Sequence, residues 1–118
     1  MSDQIPTLQE QKTAIHEIED KPLEIGSKAA VISHTWLASW KDYTGYNDQE
    51  PQPIKIDPID NHHLFKDGKF LSSNYEGINY DIIHSESYNL LHKWFGGDPI
   101  YEAPVIPNEN GQPTVQLR

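Results

Sequence analysis

Cysteine is missing from all 118 residues. Its absence removes disulfides, thiolate-bound zinc and any cysteine nucleophile from this chain, and it fits a reducing, intracellular setting. Positive charge is scarce as well. Nine Lys and Arg face 18 Asp and Glu, for a net charge of −9 with histidine neutral. Such a field repels phosphate backbones and anionic lipid heads, and no basic run offsets it. Neither nucleic acid nor a membrane is therefore an expected partner, whereas a protein with a basic patch would be steered toward the chain. No apolar run approaches the ~20 residues of a membrane span. The opening Met1-Ser2-Asp3-Gln4-Ile5-Pro6 has no charged region leading into an apolar one, so no secretory leader is expected and the cytoplasm or nucleus is the expected location. There is no Gly-x-Ser-x-Gly turn to expose a serine, no phosphate loop and no Gly-x-Gly-x-x-Gly.

Hydrophobic residues are few, at 36 %, and mean hydropathy is −0.71. Part of the chain should therefore be loop or tail, and the nine prolines and seven glycines agree. The length suits one domain with one modest core.

Aromatic residues are concentrated in Ser33–Tyr46. Trp36, Leu37, Trp40 and Tyr43 recur at spacings of three and four, which is one face of an α-helix. Ser33 is a good N-cap and Gly45 stands where a helix stops. Each large aromatic ring removes about 150–250 Å² from water, so this helix is expected to be the pillar on which the rest packs.

Upstream, Thr7–Asp20 reads as a first helix. Thr7-Leu8-Gln9-Glu10 is a capping-box pattern, and Leu8, Ile15 and Ile18 form one stripe. Pro22 ends it. Residues 22–28 connect to Ala29-Ala30-Val31-Ile32, a brief extended segment. Downstream, Asn47–Pro58 is a loop with Ile54 and Ile56 as anchors, and Asp57-Pro58-Ile59-Asp60-Asn61 has strong turn chemistry. Lys66-Asp67-Gly68-Lys69 is a tight-turn signal, followed by an apolar Phe70-Leu71. Tyr80–Ile83 reads as a strand and Ser85–Phe95 as a third helix. Ser85 is its expected cap, Tyr88, Leu91, Trp94 and Phe95 its apolar face, and Gly96-Gly97 its end. Two short strands follow, around Tyr101–Ile106 and Thr114–Leu117, with the hairpin signal Asn110-Gly111 between them and prolines 104, 107 and 113 marking exposed edges. The class is α+β with a small antiparallel sheet.

Little here carries chemistry. His62-His63 lies near Asp57 and Asp60, but zinc needs three or four converging ligands, and an adjacent pair in a polar loop falls short. A solvated or hydrogen-bonding role is the expectation, with no metal and no cofactor. The many carboxylate pairs are what 18 acids must produce, and no catalytic residue is assigned.

Three separated motifs nonetheless point one way. Val31–Tyr46 is similar to a Trp-x-x-x-Trp-x-x-Tyr-x-Gly helix. Asp57–Asn61 is similar to a Pro-Gly-Pro-Ile-Asp-Asn loop. Asn79–Ile83 through Trp94-Phe95-Gly96-Gly97-Asp98-Pro99-Ile100 is similar to an aspartyl-tyrosyl strand, a helix and a Trp-Tyr-Gly-Gly segment. In that order and spacing, over residues 8–117, the chain resembles the DUSP domain, the domain present in ubiquitin-specific proteases. The resemblance implies a tripod-like fold, a three-helix body beside a three-stranded antiparallel sheet, with residues 1–6 as a tail and 7–118 as the domain. It also implies a place inside a thiol-dependent ubiquitin hydrolase. The chain departs from the family in having Ile56-Asp57 for Pro-Gly, Phe95 for tyrosine, Asp98 for a third glycine, and Glu102-Ala103 where a basic residue is frequent.

The function expected on this basis is non-catalytic. The chain would be a protein-interaction module that recruits a partner or substrate or modulates a neighbouring catalytic core, itself monomeric when isolated. The candidate surface is Pro58, Ile59, Asp60 and Asn61, bordered by Trp94, Phe95 and Tyr101. The alternative role for this loop is structural, with Ile59 pinned inward and Asp60 and Asn61 satisfying backbone groups. The alternative role for the domain is a spacer that orders its neighbours.

Overall fold

A computed structural model describes residues 5–117. Most of the expected tail, residues 1–4, and the final Arg118 lie outside the described residues. The elements run α1 (Leu8–Glu19), β1 (Lys28–Ser33), α2 (His34–Thr44), a 3-10 turn (His62–Leu64), β2 (Phe65–Lys66), β3 (Lys69–Phe70), β4 (Tyr80–His84), α3 (Ser85–Phe95), β5 (Glu102–Pro107) and β6 (Pro113–Val115). The α+β class and the three helices are as read from the residues.

The capping box at the start of α1 forms in full: Thr7 Oγ1 accepts from Glu10 N, and the Glu10 carboxylate accepts from Thr7 N. Removing the hydroxyl with Thr7→Ala should cost about 1 kcal/mol, visible as a lower urea midpoint with an unchanged slope. Below that cap, Ile15 and Ile18 are buried, and so is a residue the apolar stripe left out. Gln11 is fully enclosed, donating to Pro6 O and accepting from Trp40 Nε1 at 3.0 Å. That bond lets the indole of Trp40, itself fully buried, sit in the core with its polar group satisfied.

The main sheet has the order β4-β1-β5-β6 and is antiparallel throughout. It therefore has four strands, not the three that the resemblance implied. The strands expected around residues 80–83, 101–106 and 114–117 all form, and the fourth is the extended segment before α2, which becomes β1 and pairs with both β4 and β5. Residues 108–112 reverse the chain after β5, with Gly111 at φ +77°, and pair Val105 with Val115 and Pro107 with Pro113. The prolines do not prevent this, since Pro104 stays exposed and contributes its carbonyl, which accepts from Gln116 N. A separate two-stranded ribbon, β2–β3, turns at Asp67 and Gly68, both at positive φ.

β1 is central and buried on both faces, which is why residues 29–32 read as an unbroken apolar run. Alternate residues serve different clusters. Ala30 and Ile32 join Ile15, Trp36, Leu37, Trp40, Ile59, Ile83, Tyr88 and Leu91 beneath the helices. Val31 faces the other way, onto Leu64 and Tyr80, with Phe65, Phe70 and Tyr101 around them. One expected core is thus two, divided by the sheet. Trp36 and Trp40 are buried and Trp94 packs half-buried on the same cluster, so the three tryptophans do share one body.

The third helix is capped differently from expectation. His84 is the N-cap residue and makes no side-chain cap bond. Ser85 Oγ instead donates to the Glu102 carboxylate at 2.7 Å. The helix start is served by Glu19 of α1, whose carboxylate accepts from His84 N at 2.9 Å and from Ser87 Oγ. A carboxylate brought in from another helix meets the positive end of the α3 dipole, a partner no local pattern could reveal. Of the two expected loop anchors, Ile56 packs on the main core while Ile54 remains exposed.

Candidate functional site

The Asp57–Asn61 loop is held from three directions. Trp36 of α2 donates its indole N–H to Asp57 O at 2.7 Å. Ile59 is almost fully buried and bridges in parallel to Gly97: Ile59 N donates to Gly96 O, and Asp98 N donates to Ile59 O, both at 2.9 Å. Asn61 is buried and uses every polar group it has nearby. Its Oδ1 accepts from Ser33 N at 2.8 Å, its Nδ2 donates to Tyr88 Oη at 3.0 Å, and its backbone N donates to Asp98 Oδ2 at 2.6 Å. Tyr88 passes the chain on, donating its hydroxyl to Asp98 O at 2.7 Å. Burial, and then the nearby Asp98 charge, push the Tyr88 phenol up to about 12, so it stays a neutral donor at any ordinary pH.

Asp98 is one of the chain's departures from the family pattern, and its role here is local. The carboxylate fills an acceptor position opposite Asn61 N, joining the segment after α3 to the loop. Phe95, another departure, meets Trp36 edge-on with ring centroids 5.7 Å apart, so the position keeps an aromatic contact without a hydroxyl.

The same bracing turns Pro58 and Asp60 outward, and both are exposed. Asp60 pairs with the His62 ring and also accepts from His62 N at 3.2 Å. The His62 ring bond, then the backbone bond, hold Asp60 below the usual carboxylate range, while the Asp60 bond lifts His62 above its usual value. The pair is complete only between these two values: acidification titrates Asp60, alkalinisation titrates His62, and either breaks it. Both groups are exposed, so the pair orients the loop tip rather than stabilising the fold.

Two grooves flank the tip. One, open and of about 680 Å³, is lined by Thr35, Trp36, Lys55, Ile56, Pro58 and His63 among others. The other, about 250 Å³, lies between His62, Phe65, Pro99, Ile100 and Tyr101. Tyr101 lines the second groove. Trp94 and Phe95 line neither groove, and Phe95 reaches the first only through Trp36. Ile59 and Asn61 lie beneath the loop, and the outward face belongs to Pro58, Asp60, His62 and His63.

The profile of the DUSP domain matches residues 26–107, well over half of the chain. The chain belongs to the DUSP domain family. Its curated relatives include ubiquitin carboxyl-terminal hydrolase 10 of Arabidopsis thaliana, 26 % identical over 118 aligned residues, and putative ubiquitin carboxyl-terminal hydrolase 11 of the same plant, 26 % identical over 115. Each alignment covers 85 % of this DUSP domain but only 12 % and 13 % of the relative. The chain therefore spans about an eighth of the length of the proteins it matches.

Sequence reading missed the residues that hold this DUSP loop in place, namely Ser33, Tyr88, Gly97 and Asp98. Gly96-Gly97 carried a signal, but one that reads equally as a helix stop. It also missed Tyr75 and Ile78, each 67 % exposed on the turn before β4. Nothing distinguishes such a pair from buried apolar residues until the fold is known.

Proposed function

We propose that this DUSP domain is a non-catalytic recognition module of a thiol-dependent ubiquitin hydrolase, working in the cytoplasm or nucleus. The domain would run from residue 7 to the end of the chain in the tripod-like arrangement of its family. It docks a protein partner, or a neighbouring domain of the same enzyme, through the tip of the Asp57–Asn61 loop and the grooves beside it, with Tyr101 at one border and Trp94 and Phe95 behind.

One observation carries this reading. A loop anchored by Ile59 and Asn61 holds Pro58 and Asp60 outward in one arrangement, so a partner meets a surface that is already ordered and binding loses little conformational entropy. The chain supplies no cysteine for thiol chemistry. The 118 residues alone should release no fluorophore from a ubiquitin–fluorophore conjugate.

The direct test is a double substitution, Pro58→Ala with Asp60→Lys, in the full-length hydrolase that carries the domain. Both side chains are exposed, so thermal unfolding should be unchanged. Ubiquitin–fluorophore turnover, or capture of a substrate protein, should fall. Unaltered turnover and capture would end the recognition reading. A loss of both only on deleting the whole domain would then favour the spacer.

A further inference from the structure

The sequence offered two adjacent histidines and too few further donors for a metal. The fold supplies a third. Asp57 turns its carbonyl to Trp36, whereas Asp60 swings its carboxylate onto the His62 ring. One donor atom from each of Asp60, His62 and His63 lies within 4.8 Å of the other two. The two imidazoles stand edge to face with centroids 5.9 Å apart, on a single 3-10 turn whose backbone is fixed by Leu64 N donating to Asn61 O at 2.9 Å.

We propose that Asp60, His62 and His63 form a surface site for a divalent transition metal of the zinc, nickel or copper class. Two imidazoles and one carboxylate suit these borderline ions, whereas calcium and magnesium prefer all-oxygen sets. Donors sharing a tetrahedral zinc lie about 3.4 Å apart, as bond lengths near 2.1 Å require, so the hydrogen-bonded Asp60–His62 pair opens slightly and the wider separations close by roughly 1.4 Å at most. Exposed side chains make that movement by rotation about their χ angles, with no change in the turn. The ion would take the place of the proton shared between Asp60 and the His62 ring. Charge favours it too: the chain carries −9, and the Asp98 carboxylate lies close enough to act on His62. The backbone beneath the donors is rigid, because Asn61 is buried and held on three sides.

Three protein donors leave at least one coordination position open at the crest between the two grooves. Water fills it in the isolated chain. The site stands whether or not the loop docks a partner, since its donors come from this chain alone.

The test is calorimetric titration of the untagged, chelator-stripped chain with zinc, nickel and calcium salts. Zinc and nickel should each bind once per chain with micromolar affinity, and calcium should give no saturable heat. Amide resonances that move on zinc addition should be confined to residues 59–64. His62→Ala and His63→Ala should each abolish saturation, Asp60→Asn should weaken it, and His92→Ala, an exposed histidine outside the cluster, should leave it intact. Unchanged circular-dichroism melts in the absence of metal establish that the variants are folded. Absence of saturable zinc binding at submillimolar metal would overturn the proposal, as would binding that survives the loss of both His62 and His63.

Discussion

Gly97→Ala is expected to destabilise the domain by about 3 kcal/mol or more, enough to consume a large part of the margin of a domain this size. Two independent causes add. Gly97 sits at φ +109°, which side chains rarely adopt. A Cβ built there would also lie 2.2 Å from Ile59 N and 2.3 Å from Ile59 O. Both clashing atoms are backbone, so no rotamer change relieves them. The chain must either pull the loop from the segment after α3 or distort both. Either response breaks the two 2.9 Å hydrogen bonds that flank the contact and lifts Ile59 from the core. Gly96→Ala is the control. Gly96 also has positive φ, at +74°, but a Cβ there meets nothing within 4 Å. Its cost should be about 1–3 kcal/mol, that of a backbone conformation (φ +74°, ψ −163°) that glycine alone adopts freely, and should stay below that of Gly97→Ala. Urea unfolding followed by tryptophan fluorescence separates the two, and equal losses for both variants would show that the close approach to Ile59 plays no part.

The contrast between these glycines bears on what a sequence can reveal. Gly-Gly after an apolar helical face reads correctly as a stop, because that inference needs only local geometry. That the second glycine lies against a loop nearly forty residues earlier is a fact of packing, and nothing local encodes it. The same division runs through the molecule. The α1 capping box, the left-handed Gly45, the Asp67-Gly68 turn and the aromatic stripe of α2 were all legible, since each is set by neighbours within four residues. The Glu19 cap on α3, the burial of Gln11 and the second core beyond β1 were not, since their partners come from elsewhere in the chain. The loop shows both sides at once. Its turn chemistry was visible and so was its resemblance to a family motif. Which of its residues face inward depended on Ser33, Tyr88 and Asp98, three groups with no sequence relation to it.

Asn61→Ala should cost about 2–4 kcal/mol, mostly through the partners it strands. Ser33 N, at the buried junction of β1 and α2, would lose its acceptor and find no water to replace it. Tyr88 Oη would keep its bond to Asp98 O but lose the donor it accepts from. Asn61→Asp sharpens the argument because it keeps the shape. The new carboxyl still accepts from Ser33 N, but it is buried beside the Asp98 carboxylate, and both effects raise its pKa in the folded state. A raised carboxyl pKa means that this variant is closest to wild type below the unfolded value of about 3.9, and loses stability as pH rises from there toward neutrality. Relative to Asn61→Ala, whose deficit has no such pH dependence, the difference in unfolding free energy should therefore change with pH in that direction. A deficit for Asn61→Asp that shrinks on alkalinisation would contradict the burial of this position. Function adds a further discrimination. Asn61 fixes the loop that presents Pro58 and Asp60, so its loss should lower stability and partner binding together. The exposed double substitution of Pro58 and Asp60 should lower binding alone. If both sets of variants left binding untouched while only Asn61→Ala unfolded more easily, the loop would be a brace between α2 and α3 and the recognition surface would lie on another face.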